Sequence, residues 1–205
     1  YNANRVAGKY GNALQLTESA GSYVSVPNKA SLNSNSFTAS VWVNLDSYPT
    51  QQFRRIIGKS NFDSNNNGWD IMITNDNQVT KLNARLGGSD YIQIMYPGES
   101  DSLVGKWHLI TLTYDGQKLK LYIDDGVGAR RDFDSKQRGQ TCPDCNSKYA
   151  VYNIAKSVPQ NTLPLKIGKD DAYWKKTLNA KIDEVRYYNR ALTSDEVKKI
   201  YSGTL

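Results

Sequence analysis

Phe37-Thr38-Ala39-Ser40-Val41-Trp42-Val43 is the stretch on which the fold turns. Phe37, Ala39, Val41 and Val43 recur at every second position, so on an extended chain they share one face. β-branched and aromatic residues at that period predict a β-strand, here Ser36–Leu45. Lys118-Leu119-Lys120-Leu121-Tyr122-Ile123 repeats the pattern, with Leu119, Leu121 and Ile123 on one face and the lysines on the other. One wet face and one apolar face mark an antiparallel sheet, because strands of a parallel sheet are covered on both sides. Between them, Tyr114-Asp115-Gly116-Gln117 carries the Asp-Gly pair that suits the positive φ angles of a tight hairpin.

The same signal repeats outward in both directions. Strands are expected at Ala13–Thr17, Ser22–Val26, Arg54–Lys59, Trp69–Thr74, Lys81–Leu86, Tyr91–Tyr96, Lys106–Tyr114, Lys118–Asp124, Leu165–Gly168 and Ala180–Tyr188. Many short alternating runs separated by turn residues predict an all-β antiparallel sandwich. One helix is expected, at the end. In Leu192-Thr193-Ser194-Asp195-Glu196-Val197, Thr193 caps free amides, Glu196 reaches back and Leu192 staples to Val197, and the helix runs to about Tyr201. No linker divides the chain, so residues 1–205 read as a single domain with a long loop insertion at about 126–164.

Composition agrees. Fourteen Tyr and fifteen Gly with 39% hydrophobic and 22% charged residues describe a globular chain, not a disordered one. No window approaches eighteen consecutive apolar residues, so no transmembrane helix is expected. No charged-then-apolar leader is present, so a secretory signal is expected to be absent from these residues. The formal net charge is +6, which favours acidic partners such as anionic glycans, teichoic acids or nucleic acids.

Several chemistries lack their residues. Cys142 and Cys145 form one C-P-D-C, and with His108 as the one histidine they cannot complete a four-ligand zinc site. Their turn-rich surroundings suit a local disulfide, which fits an oxidising compartment. A serine hydrolase would have to use His108, which sits inside the strand pattern Trp107-His108-Leu109-Ile110-Thr111-Leu112. Glutamates are few, at positions 18, 99, 184 and 196, and no phosphate-cradling glycine loop occurs. Basic residues are not interleaved with aromatics along a nucleic-acid motif, so neither nucleic-acid binding nor catalysis is expected.

A resemblance emerges from several segments taken in order. Gly11-Asn12-Ala13-Leu14-Gln15-Leu16 with Ser22-Tyr23-Val24, then Ser36–Val43, then Gly105-Lys106-Trp107-His108-Leu109 through Thr113-Tyr114-Asp115-Gly116, then Leu121-Tyr122-Ile123-Asp124-Asp125-Gly126 are each similar to family motifs. Leu165-Lys166-Ile167-Gly168 and Ile182-Asp183-Glu184-Val185-Arg186-Tyr187-Tyr188-Asn189-Arg190-Ala191-Leu192-Thr193 complete the set. Together they resemble the laminin G-like, concanavalin A-like lectin/glucanase jelly-roll family. The E-x-D-x-x-E strand of laminarinase-type members is missing. The resemblance therefore implies a non-catalytic extracellular or cell-surface module that binds glycans or proteins.

It also implies a structural calcium where the first and last strands meet. Asp183 would be the side-chain ligand, with Glu18 and backbone oxygens up to Gly21 completing a shell of six to eight oxygens. Thr17-Glu18 stands where the family has Asp-Gly, and Ala180 where Gly is common. Asp63-Ser64-Asn65-Asn66-Asn67-Gly68 opens like an EF-hand loop but has Thr74 where the closing glutamate belongs, and its Asx turns form without metal.

A sugar site needs an aromatic platform flanked by directed polar groups. Trp42 and Trp107 fall in family-like core strands and are expected to pack; Trp69 reads either way. Trp174 stands in a polar loop, and Tyr91 follows one; with Arg85 or Arg130 they make the expected site for an acidic glycan. The expected partner is a polysaccharide or glycoconjugate. The alternative is a structural or adhesive subunit of a cell-surface or fibre assembly, with surface proteins or copies of itself as partners. In that reading the polar segment Tyr1–Gly8 pairs with a neighbour's sheet edge.

Overall fold

The computed structural model describes residues 1–49, 53–61, 67–76, 79–87, 91–96, 103–127, 149–158, 160–169 and 176–205. In chain order the strands are β1 (Asn4–Ala7), β2 (Asn12–Leu16), β3 (Val24–Val26), β4 (Phe37–Leu45), β5 (Arg54–Asn61), β6 (Asn67–Asp76), β7 (Val79–Leu86), β8 (Tyr91–Tyr96), β9 (Trp107–Tyr114), β10 (Lys118–Ile123), β11 (Tyr149–Asn153), β12 (Leu165–Ile167) and β13 (Ala180–Tyr188). One α-helix follows, α1 (Ser194–Ser202). The strands form two antiparallel sheets, which are called A and B. Sheet A runs β1-β2-β13-β4-β9-β10-β11 and sheet B runs β3-β12-β5-β6-β7-β8.

Alternation builds the core as expected. Phe37, Ala39, Val41, Val43 and Leu45 of β4 point inward with Ile110, Leu112 and Tyr114 of β9 and Leu119, Leu121 and Ile123 of β10. Trp69, Ile71 and Ile73 of β6 and Leu82, Ala84 and Leu86 of β7 meet them from sheet B. Trp69 is therefore a core residue; its ring lies 4.9 Å from that of Phe37, nearly parallel. Each large apolar side chain so buried contributes about 1.5–3 kcal/mol. The polypeptide's beginning is closed onto its end: β2 pairs β13 in the register Leu14↔Ile182, Gln15↔Lys181 and Leu16↔Ala180.

Sheet A has a second apolar layer on its outer side. Trp42, Leu109 and Tyr122 alternate away from the sandwich and are covered by Leu192, Val197 and Ile200. The helix that supplies this cover has the expected capping box, with the Glu196 amide bonded to the Thr193 hydroxyl and the Glu196 carboxylate accepting from the Thr193 amide. Trp42 does pack, but under α1 and not between the sheets.

Two strands go beyond the sequence reading. The stretch read as a loop insertion contains β11, which pairs β10 in the register Leu119↔Tyr152 and Leu121↔Ala150 and buries Ala150 and Tyr152 in the core. Asn4–Ala7, within the segment that the assembly reading pairs with a neighbour, is β1, the edge strand of sheet A, paired on one side with β2 of its own chain. Among the described residues no helix is long and apolar enough to cross a membrane.

Candidate functional site

Because Trp69, Ile71 and Ile73 fill the sandwich, Asp70, Met72 and Thr74 face the opposite side of sheet B. On β7 the same logic turns Lys81, Asn83 and Arg85 outward. The register then lays one row across the sheet: Lys166 opposes Gly58, Gly58 opposes Asp70, Asp70 opposes Arg85 and Arg85 opposes Tyr91. Arg55 joins this face by opposing Met72, after a bulge in β5. Arg55, Lys81, Arg85 and Lys166 thus share the outer face of β5, β6, β7 and β12. Asp70 is the one carboxylate among its described side chains.

Asp70 holds this face together. Its side chain is 0% exposed and receives Arg85 in a two-toothed grip, Nε to Oδ1 at 3.0 Å and Nη2 to Oδ2 at 2.8 Å. Arg55, 1% exposed, approaches Oδ2 with Nη2 at 3.5 Å and donates to the Ser60 hydroxyl at 2.9 Å; that hydroxyl donates to Oδ2 at 3.3 Å. Two guanidinium groups thus close on one buried carboxylate. The fork geometry also fixes the plane of Arg85, whose side chain keeps 23% of its surface in solvent beside the half-exposed ring of Phe53.

The structure brings together two of the expected sugar-site residues, since Arg85 and Tyr91 are cross-strand partners. Trp174, Arg130, Cys142 and Cys145 lie outside the described residues, as do Asp63–Asn66 of the EF-hand-like stretch. The buried role of Asp70 was missed from sequence, although Asp70 alternates with Trp69 and Ile71 in a core-facing strand.

The expected calcium ligands do not converge. The Glu18 amide is bonded to Asn179, four residues before Asp183 and thus about 13 Å from it along β13. Asp183 instead accepts from the Tyr10 and Glu184 amides, each at 2.9 Å. The Glu18 carboxylate is bonded to Arg54 at 2.9 Å, within a polar cleft of about 100 Å³ that Tyr48, Thr177 and Asn179 also line. The Glu18 carbonyl accepts from the Gly21 amide and the Thr177 hydroxyl, and the Thr17 carbonyl from the Ser22 amide. A divalent cation there would meet oxygens already taken by N–H and O–H donors, next to a guanidinium, so Asp183, Glu18 and Gly21 do not fit a shared calcium site. His108 is half-buried, with Nδ1 3.0 Å from Asp124 Oδ2, in agreement with a packed strand histidine.

A search of curated protein sequences finds no match. Solved structures do match. The chain is similar to the binding domain of Paraclostridial Mosquitocidal Protein 1 at 18% identity and TM-score 0.64, over 98% of this chain and 45% of that one. It is similar to Domain 4 of AbnA, a GH43 extracellular arabinanase from Geobacillus stearothermophilus solved with arabinotriose, at 19% identity and TM-score 0.62, over 98% and 82%. The binding domain of Botulinum Neurotoxin DC in complex with SialylT matches at 13% identity and TM-score 0.62, over 100% and 45%. The chain thus spans less than half the length of both toxin binding domains. At such identities the likeness is one of fold. The family profile described as "Concanavalin A-like lectin/glucanases superfamily" matches residues 18–137, more than half of the sequence. With its two stacked antiparallel sheets and its first strands closed onto the last, the chain belongs to the concanavalin A-like lectin/glucanase superfamily.

Proposed function

We propose that this domain is a non-catalytic, extracellular carbohydrate-binding module, and that acidic glycans lie across the outer face of sheet B. The observation that carries the reading is the row in which Arg85, held in a fixed plane by Asp70, stands opposite Tyr91 on a face whose described side chains include four cations and one buried carboxylate. A guanidinium held in this way presents directed donors to a carboxylate or sulfate, and a neighbouring aromatic position suits the C–H face of a sugar. Similar folds solved with arabinotriose and with SialylT support glycan as the ligand class.

Affinity electrophoresis tests this. Gels containing polygalacturonate or dextran sulfate are expected to retard the protein at low salt and to release it as salt rises. Arabinan serves as the neutral comparison. Mobility unchanged in all three gels would overturn the reading.

A further inference from the structure

The far side of the same face carries an aromatic and cationic group that the row leads to. Lys166 lies at the β12 end of the row, and β12 pairs with β3 in the register Lys166↔Ser25. Just before β3, the Tyr23 ring gathers two ammonium groups: Lys169 Nζ stands 4.3 Å from its centroid and Lys166 Nζ 5.6 Å. Tyr1 stacks on the same ring, with centroids 4.5 Å apart and planes 16° from parallel, and remains 72% exposed. Tyr1 thus turns one face to Tyr23 and the other to solvent.

We propose that Tyr1, Tyr23, Lys166 and Lys169 form a second anionic-sugar subsite, so that the face binds a carboxylated or sulfated oligosaccharide longer than a disaccharide. The proposal rests on the carbohydrate-binding reading above. The exposed face of Tyr1 is an apolar platform for a pyranose ring, and the two ammonium groups over the Tyr23 ring bring positive charge and N–H donors to the place where an acidic substituent would lie. Between the two subsites the row passes Gly58, which has no side chain, and the buried Asp70. From Lys166 on β12 to Arg85 on β7 the chain crosses three interstrand spacings, about 14 Å. A disaccharide cannot reach both cationic ends; a tetrasaccharide can.

Isothermal titration with di-, tri- and tetragalacturonate, a heparin-derived tetrasaccharide and arabinotriose tests it on the whole chain. Wild-type protein is expected to bind an acidic tetrasaccharide at least tenfold more tightly than digalacturonate. The Lys166→Met/Lys169→Met variant should lose about tenfold on the tetrasaccharide, with little change on digalacturonate, while Lys198→Met on α1 leaves both unchanged. Circular dichroism melts establish that the variants are folded. Equal affinity for acidic di- and tetrasaccharides, or an unaffected double variant, overturns the second subsite and leaves the module reading intact. Arabinotriose bound as tightly as the acidic series also overturns the proposal while preserving the module. Binding of none of the five probes overturns both.

Discussion

Replacing Asp70 with Asn tests the most unusual feature of the structure, a carboxylate on the outer side of a sheet that is nevertheless 0% exposed. The change keeps the shape and removes the charge. Arg85 loses its ion pair at 2.8 Å, and Arg55, itself 1% exposed, loses the Asp70 carboxylate 3.5 Å away. The new amide nitrogen would also point a donor at guanidinium donors. Removing one partner of a buried pair costs about 3–5 kcal/mol, because the charge left behind is neither hydrated nor paired. For a domain of this length each kcal/mol moves Tm by about 2–4 °C, so Asp70→Asn is expected to lower Tm by about 6–20 °C. Thermal and urea melts followed by circular dichroism measure this. The double variant Asp70→Asn/Arg55→Met, which removes the more deeply buried of the two guanidinium groups, should recover part of the loss. An Asp70→Asn protein within about 1 kcal/mol of wild type would refute the reasoning, since that is the range of a surface pair.

Three other outcomes are expected. Adding calcium or EDTA should leave Tm unchanged, because the oxygens around Glu18 already accept from Arg54, Gly21 and Thr177; a rise with calcium would contradict this. The Glu196 carboxyl should titrate near 2, drawn down from 4.5 first by the Arg190 guanidinium at 2.7 Å and then by the Thr193 amide. Its folded value lies below its unfolded one, so the stability it lends the start of α1 is complete above pH 4.5 and is lost as pH falls toward 2. A carboxyl resonance titrating near 4.5 by NMR would show that the capping box does not form. Gly68→Ala should cost far more than Gly116→Ala. Both glycines have positive φ, at 96° and 95°, worth about 1–2 kcal/mol each. An added Cβ at position 68 would lie 1.9 Å from the Lys59 carbonyl, whereas at 116 it meets nothing within 4 Å. Equal losses in urea melts would contradict the close β5–β6 approach.

The period-two runs carried most of the fold, because alternation is a local property and survives without knowledge of partners. β4, β10, the Asp115-Gly116 hairpin and the Thr193 cap were legible for that reason. β11 was not: Tyr149-Ala150-Val151-Tyr152-Asn153 alternates, but it sits in a long polar connection, and its strand identity comes from pairing with Leu119 and Leu121, some thirty residues away. β1 is four residues long and largely exposed, so it has no apolar face to announce it. At the site, Arg85 and Tyr91 could be picked by residue type, and register made them neighbours. Asp70 could not, because a lone carboxylate between Trp69 and Ile71 looks like any outward residue until Arg55 and Arg85 are seen to close on it. The separation of the expected calcium ligands comes from register, which sets Glu18 level with Asn179 and leaves Asp183 to the Tyr10 amide.

The central claim is that the outer face of sheet B receives the glycan. Titrating isotopically labelled protein with tetragalacturonate and mapping the amide shifts tests it most directly. The account predicts that the largest shifts fall on β12, β5, β6 and β7, at Lys166, Gly58, Asp70 and Arg85, with Tyr23 beside them. Shifts confined to α1 and the outer side of sheet A, around Trp42 and Leu109, would contradict it.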